Sequence, residues 1–184
     1  MAHVCPWWLG YLLASPLRKL MQDPEAILTP WVTPGMIVLE IGPGMGFFSL
    51  PLARRVGSAG RVICLDIQPR MLQRLERRAS KASLRERIET RLCPPDSFGL
   101  HDRPGSFDFA LLFAVLHEMP DQASVWKQIH EALKPGGRVL FAEPRGHVNE
   151  KGFAQSLSQA VAQGFGPAKP LPIARSWAAV LQKP

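Results

Sequence analysis

The sequence is notable first for what it does not contain. Among its 184 residues no apolar run reaches the ~20 that a membrane-crossing helix needs. There is no internal repeat and no low-complexity tract. Cysteine is scarce: Cys5, Cys64 and Cys93 are an odd number without paired spacing. That argues against a disulfide framework and against a structural zinc site. Basic residues are missing from the N-terminus, where nothing before Arg18 carries a Lys or Arg charge. The apolar stretch "MAHVCPWWLGYLLASP" therefore lacks the charged flank of a signal peptide. A soluble, cytoplasmic protein with no membrane span is expected.

What is present suits a globular domain. Hydrophobic residues make up 46% and charged residues 20%, enough for a substantial core. The net charge of +7 is uneven. Between residues 70 and 91, Arg70, Arg74, Arg77, Arg78, Lys81, Arg85, Arg87 and Arg91 face only Glu76, Glu86 and Glu89. Such a segment can mark an acidic partner such as RNA. A solvated helix face is the favoured reading, because no aromatic residue interleaves as a base-stacking surface requires. No nucleic-acid partner is expected.

Strands and helices alternate along the chain. "GMIVLEIG", "GRVICLDI", "RIETRLC", "SFDFALLFAVL" and "GRVLFAEP" read as strands, largely buried. "FFSLPLARRVG", "PRMLQRLERRASKASL", "DQASVWKQIHEALK" and "EKGFAQSLSQAVAQG" read as helices. In the second of these, Pro69 suits the first turn, and Leu72, Leu75, Ala79 and Ala82 form an apolar stripe. "KPGG" is expected to end the third, and "SWAAVLQK" can be a last strand. Regular alternation implies right-handed crossovers and a mostly parallel α/β sheet covered on both faces. Residues 1–35 do not follow the alternation. They are expected to be an N-terminal helical cap, with 36–184 the core of a single domain. The cap either covers the ligand site, with Trp7, Trp8 and Tyr11 on the substrate side, or packs against the sheet edge.

The stretch "VLEIGPGMGFF", residues 38–48, carries the first functional signal. Gly42 and Gly44 match the first two positions of the dinucleotide motif G-x-G-x-x-G. The third falls on Phe47, where that motif needs close helix packing. Glu40 would also repel a pyrophosphate and suits a cationic ligand instead. Asp66, ending "ICLD", can accept both hydroxyls of a ribose. The phosphate-loop motif G-x-x-x-x-G-K-[ST] is absent.

Together "VLEIGPGMG", "VICLDIQPRML", "SFDFALLFAVLHEMPD" and "LKPGGRVLFAEP", in this order and spacing, resemble the class I S-adenosylmethionine-dependent methyltransferases. The likeness is to their small-molecule branch, which includes quinone-biosynthesis and arsenite methyltransferases. It implies a Rossmann-like, doubly wound, seven-stranded sheet with its last strand antiparallel. It implies S-adenosyl-L-methionine as cofactor and S-adenosyl-L-homocysteine as product. By the same likeness Glu40, Gly42, Gly44 and Gly46 lie along the methionine part, and Asp66 binds the ribose. Ile67, Gln68, Cys93 and Phe113 are the further cofactor-side positions. The acidic residue that often meets the adenine amino group is displaced here: Leu92 and Cys93 stand at its place and Asp96 follows.

Methyl transfer needs chiefly alignment, and a base only when the acceptor must lose a proton. His117 and Glu118, after the fourth strand, are the catalytic candidates. Alternatively His117 is a helix-entry residue bonded to backbone or paired with Glu118. Glu143 and His147, after the fifth strand, are substrate-side candidates. No metal is expected, since these residues come from two loops without helical spacing. An arsenite-type mechanism would need convergent thiolates, and Cys64 is expected to be buried. The expected acceptor is a small molecule, apolar or aromatic. An RNA or protein methyltransferase and a non-catalytic S-adenosylmethionine-binding module are the alternatives.

Overall fold

The computed structural model describes residues 22–94 and 97–184. Trp7, Trp8, Tyr11, Cys5 and Asp96 lie outside the described residues. The seven strands form one sheet in the order β3-β2-β1-β4-β5-β7-β6. They are β1 (Ile37–Ile41), β2 (Arg61–Asp66), β3 (Ile88–Leu92), β4 (Phe107–Phe113), β5 (Leu133–Pro144), β6 (Lys169–Pro170) and β7 (Ser176–Gln182). Among the described residues the α-helices are α1 (Pro24–Leu28), α2 (Ser49–Val56), α3 (Pro69–Lys81), α4 (Gln122–Ala132) and α5 (Glu150–Ala162). The expected α/β sheet is therefore the one observed, with β7 antiparallel to β5.

The chain divides into two compact units between Cys93 and Pro94. In the first unit, β1, β2 and β3 pair in parallel, with Glu40 opposite Cys64 and Asp66 opposite Leu92. Val38, Leu39, Val62 and Ile63 are fully buried, as both-face coverage of a parallel sheet demands. Helix α3 buries Met71, Leu72, Leu75 and Ala79. Ala82, expected on the same stripe, is instead the residue that caps the helix. The segment before β1 packs on α2: Leu28 and Val32 are inaccessible to solvent. Arg55 of α2 holds that segment, donating to Thr29 Oγ1 at 2.9 Å and to the carbonyls of Thr29 and Val32 at 3.2 Å.

In the second unit, β4 and β5 are parallel. The "KPGG" segment does not terminate α4 but belongs to the start of β5. Four residues bulge out where Phe107 pairs with Leu133 and Phe109 with Arg138. Lys134 Nζ in the bulge meets Asp108 Oδ1 at 2.5 Å. Trp126 of α4 is fully buried, edge-on to Phe141 and Phe165. Strand β6 has only two residues, antiparallel to β7; no periodicity in "GPAKPLPIAR" announces it. Among the described residues no helix is long and apolar enough to cross a membrane.

Candidate active site

In the first unit, the carboxyl end of β1 delivers Glu40 into the interior, only 3% exposed. Its neighbours are few. The Cys64 thiol, across the β1–β2 pair, donates to Glu40 Oε2 at 3.4 Å. The Ser49 hydroxyl, at the start of α2, faces the carboxylate but has no hydrogen bond of ordinary geometry. No Lys, Arg or His among the described residues is paired with it. Burial therefore pushes the Glu40 carboxyl up to about 7, with Ser49 and Cys64 pulling the other way. The same burial, with the Glu40 charge beside it, raises the Cys64 thiol and keeps it protonated.

The glycine loop follows directly. Gly42 N donates to Leu65 O at 2.9 Å, which ties the loop to β2. Gly44 and Gly46 adopt left-handed φ of 54° and 86°, but for different reasons. A Cβ on Gly44 would meet nothing within 4 Å, so the loop is open there. A Cβ on Gly46 would lie 2.5 Å from Leu75 Cδ1, so that glycine lets α3 pack. The side chain of Arg78 donates to the Met45 carbonyl, anchoring the loop's centre. The sequence offered Arg78 only as one more cation in a basic run.

At the end of β2, Asp66 is 8% exposed and its Oδ1 accepts from Gln68 N at 2.9 Å. Ile67 and Leu92, at 38% and 61% exposed, are large apolar side chains left uncovered at the ends of neighbouring strands. Cys93 N donates to Asp66 O at 3.1 Å, and burial with the Asp66 charge lifts its thiol to about 11. This half fits a ligand that is cationic at one end and carries a ribose and a flat apolar group at the other. It holds a buried carboxylate without a cation, an orphaned hydroxyl, open space over Gly44 and an exposed apolar pair.

The second unit carries a separate constellation. Strand β4 ends at Phe113, 9% exposed. Ala114 then takes a left-handed φ of 58°, unusual without glycine, while its amide donates to Ala142 O at 2.8 Å. A 3-10 turn, Leu116–Glu118, follows. Glu143, at the end of β5 and 1% exposed, holds this turn by two bonds. Its Oε1 accepts from His117 N at 3.1 Å and its Oε2 meets His117 Nδ1 at 2.5 Å. The hydrogen bond to Glu143 raises the His117 pKa; burial opposes this, and the charges of Glu143 and Glu118 add to it. His117 Nε2 lies 3.3 Å from Nδ1 of the exposed His147. So His117, Glu143 and His147 are brought together, and His117 pairs with Glu143 where the sequence suggested Glu118. Among the described residues no group of three or more His, Cys, Asp or Glu side chains is placed to hold a metal ion.

A cavity of about 340 Å³ opens beside His117 and Glu143. Helices α4 and α5 line it with Gln122, Ser156 and Gln159, none of them singled out by sequence. Their helical spacing gave no chemical signal; only the packing of α4 on α5 turns them to one space.

Part of the basic segment is engaged within the protein. Arg85 pairs with Glu76 at 3.2 Å, Arg91 with Glu89 at 2.7 Å, and Arg87 donates to Ala53 O at 3.4 Å.

The family model described as "Methyltransferase domain" matches residues 32–174. The chain belongs to that family. It is 33% identical, over 59% of its length and 42% of the relative's, to demethylmenaquinone methyltransferase of Lactococcus lactis. It is 30% identical to arsenite methyltransferase of Halobacterium salinarum, over 61% of this chain and 28% of that protein. The chain thus spans less than half the length of these curated relatives. A SAM-dependent methyltransferase from Aquifex aeolicus superposes with a TM-score of 0.86 at 20% identity, covering 97% of this chain and 98% of that one. The fold is that of the S-adenosylmethionine-dependent methyltransferases.

Proposed function

We propose that the chain is the catalytic domain of an S-adenosylmethionine-dependent methyltransferase acting on a small molecule. The observation that carries this reading is Glu40: a carboxylate 3% exposed, on the glycine loop's strand, with no cation beside it among the described residues. Leaving such a charge unpaired is costly, and a bound cation offsets the cost. When bound, S-adenosylmethionine supplies a methyl group already activated on its sulfonium.

The chain's own residues then bind and orient. Glu40 answers the positive end of the cofactor, with Ser49 as the adjoining polar group. Gly42 and Gly44 keep the loop's backbone close and unobstructed. Asp66 accepts from the ribose, and Ile67, Gln68 and Cys93 form the adenine end. His117 and Glu143 serve the acceptor, with Glu118 as an added negative charge and His147 beside them. The acceptor is expected to be apolar or aromatic in its body, and residues 1–35 remain the cap on the core 36–184.

Isothermal titration tests this reading. S-adenosylmethionine and S-adenosylhomocysteine should bind the wild-type protein, and NAD should not. Glu40→Gln, being isosteric, should fold and lose at least tenfold in affinity for S-adenosylmethionine. Equal affinity in the variant, or tight NAD binding, overturns the reading.

A further inference from the structure

The Glu143–His117–His147 chain restricts what the acceptor can be. Glu143 is almost fully buried and faces His117 Nδ1 at 2.5 Å. A carboxylate there fixes the neutral ring with its proton on Nδ1 and its lone pair on Nε2. A second bond, from His117 N to Glu143 Oε1 at 3.1 Å, stops the ring's backbone from shifting. Nε2 is thus a positioned base. In the resting protein Nε2 faces His147 Nδ1 at 3.3 Å, on a ring that is exposed. That exposed ring is free to leave and to return at little cost.

The cavity beside this base has a definite chemistry. Its volume of about 340 Å³ suits a small molecule. Among the described residues its acidic lining is Glu143 and Asp121, and no Lys or Arg lines it. Gln122, Gln155, Ser156 and Gln159 supply hydrogen-bonding groups, and Met119 and Val148 supply apolar surface. Two carboxylates and no cation disfavour an anionic acceptor such as a carboxylate or thiolate.

We propose that Glu143 and His117 deprotonate a neutral hydroxyl acceptor, a phenol or enol, held in this cavity, and that His147 carries the proton away to water. The proposal rests on the methyltransferase reading and names its substrate class. The acceptor O–H gives its proton to His117 Nε2, and its electron pair stays on oxygen. That oxygen gains the methyl group as the donor's carbon–sulfur bond breaks, with the electron pair of that bond kept by sulfur. The proton left over on the imidazolium passes from Nε2 to His147 Nδ1, and from the exposed ring to solvent. Acceptors that attack without losing a proton have no use for this chain. Among the described residues the groups facing His117 are Glu143, Glu118 and His147, and the two carboxylates strengthen the base.

The test needs no cofactor at its first stage. Nitrogen-15 NMR of the histidine rings in the wild-type protein should find neutral His117 protonated on Nδ1. His117 should titrate at higher pH than in Glu143→Gln. Phenol added to the protein should shift the His117 ring signals, and benzoate should not. At the second stage, with S-adenosylmethionine and phenol, the pH profile of S-adenosylhomocysteine formation should follow the His117 titration. His147→Ala, an exposed and therefore fold-neutral change, should slow turnover several-fold, and added imidazole should restore it. A neutral His117 protonated on Nε2, preferential binding of benzoate, or a His147→Ala rate that imidazole leaves unchanged would overturn the proposal. Failure of the methyltransferase reading would instead appear as absent S-adenosylmethionine binding beside an intact His117 titration.

Discussion

Glu143 grips His117 at two points, its carboxylate oxygens taking the backbone N–H at 3.1 Å and ring Nδ1 at 2.5 Å. The residues lie 26 positions apart, on the turn after β4 and the end of β5. One carboxylate thereby sets the turn's backbone, the ring's tautomer and the ring's basicity.

The pairing makes stability depend on pH in a definite direction. The folded-state pKa of His117 is raised, chiefly by its bond to Glu143. A raised histidine contributes its full stability below its unfolded pKa of about 6.5 and loses it as pH rises through the folded value. The stability gap between wild type and Glu143→Gln should therefore be widest below about pH 6.5 and narrower at pH 9. Urea denaturation of both proteins at several pH values measures it.

Glu40 has the opposite chemistry. Its carboxyl is raised to about 7 by burial, so the folded protein holds a proton that the unfolded chain releases near 4.5. Stability should fall as pH rises from 4.5 to 7 and level off above, a loss on the order of 3 kcal/mol. Glu40→Gln should remove that slope. Because a cationic cofactor favours the ionised carboxyl, its binding should release a proton below pH 7 and none well above it. Calorimetry in buffers of different ionisation enthalpy counts the protons.

Gly44 and Gly46 of the loop separate folding from binding. Gly44→Ala meets no atom within 4 Å, so it should cost only the roughly 1–2 kcal/mol of a left-handed alanine. It should nevertheless weaken S-adenosylmethionine binding, since its methyl group projects into the open side of the loop. Gly46→Ala adds a clash with the buried Leu75 to the same strain, and should melt at lower temperature than Gly44→Ala. Thermal melts and titration of the two variants distinguish the roles.

Arg55 fastens residues 29–32 to α2 through three acceptors. Arg55→Ala should cost about 1–2 kcal/mol by leaving the Val32 carbonyl without its partner. It should also speed proteolysis in the 22–35 segment while leaving the His117 titration unchanged. Limited proteolysis read by mass spectrometry checks both the site and the rate.

The sequence by itself determined the alternation of elements but not every strand bound: "SFDFALLFAVL" reads as strand through Leu116, yet β4 ends at Phe113 and β5 begins at Leu133, four residues before "GRVLFAEP". Uninterrupted apolar runs dictate strands buried on both faces, and the Leu72–Leu75–Ala79 spacing dictates one buried helix face. Glu40 and Asp66 were legible because a charge that ends an apolar run has few structural excuses. All of this is written in near neighbours, where periodicity of two or 3.6 residues carries the signal. Tertiary structure alone decided the rest. Strand β6 exists because β7 offers a pairing edge to two residues with no strand pattern of their own. Arg78 reaches the Met45 carbonyl across 33 positions, and Gly46 is a packing glycine only because Leu75 stands over it. His117 takes Glu143 rather than the adjacent Glu118 because the β4–β5 register, not the sequence interval, sets which carboxylate the turn meets. Contacts of this kind depend on how whole elements dock, and no local pattern encodes the docking.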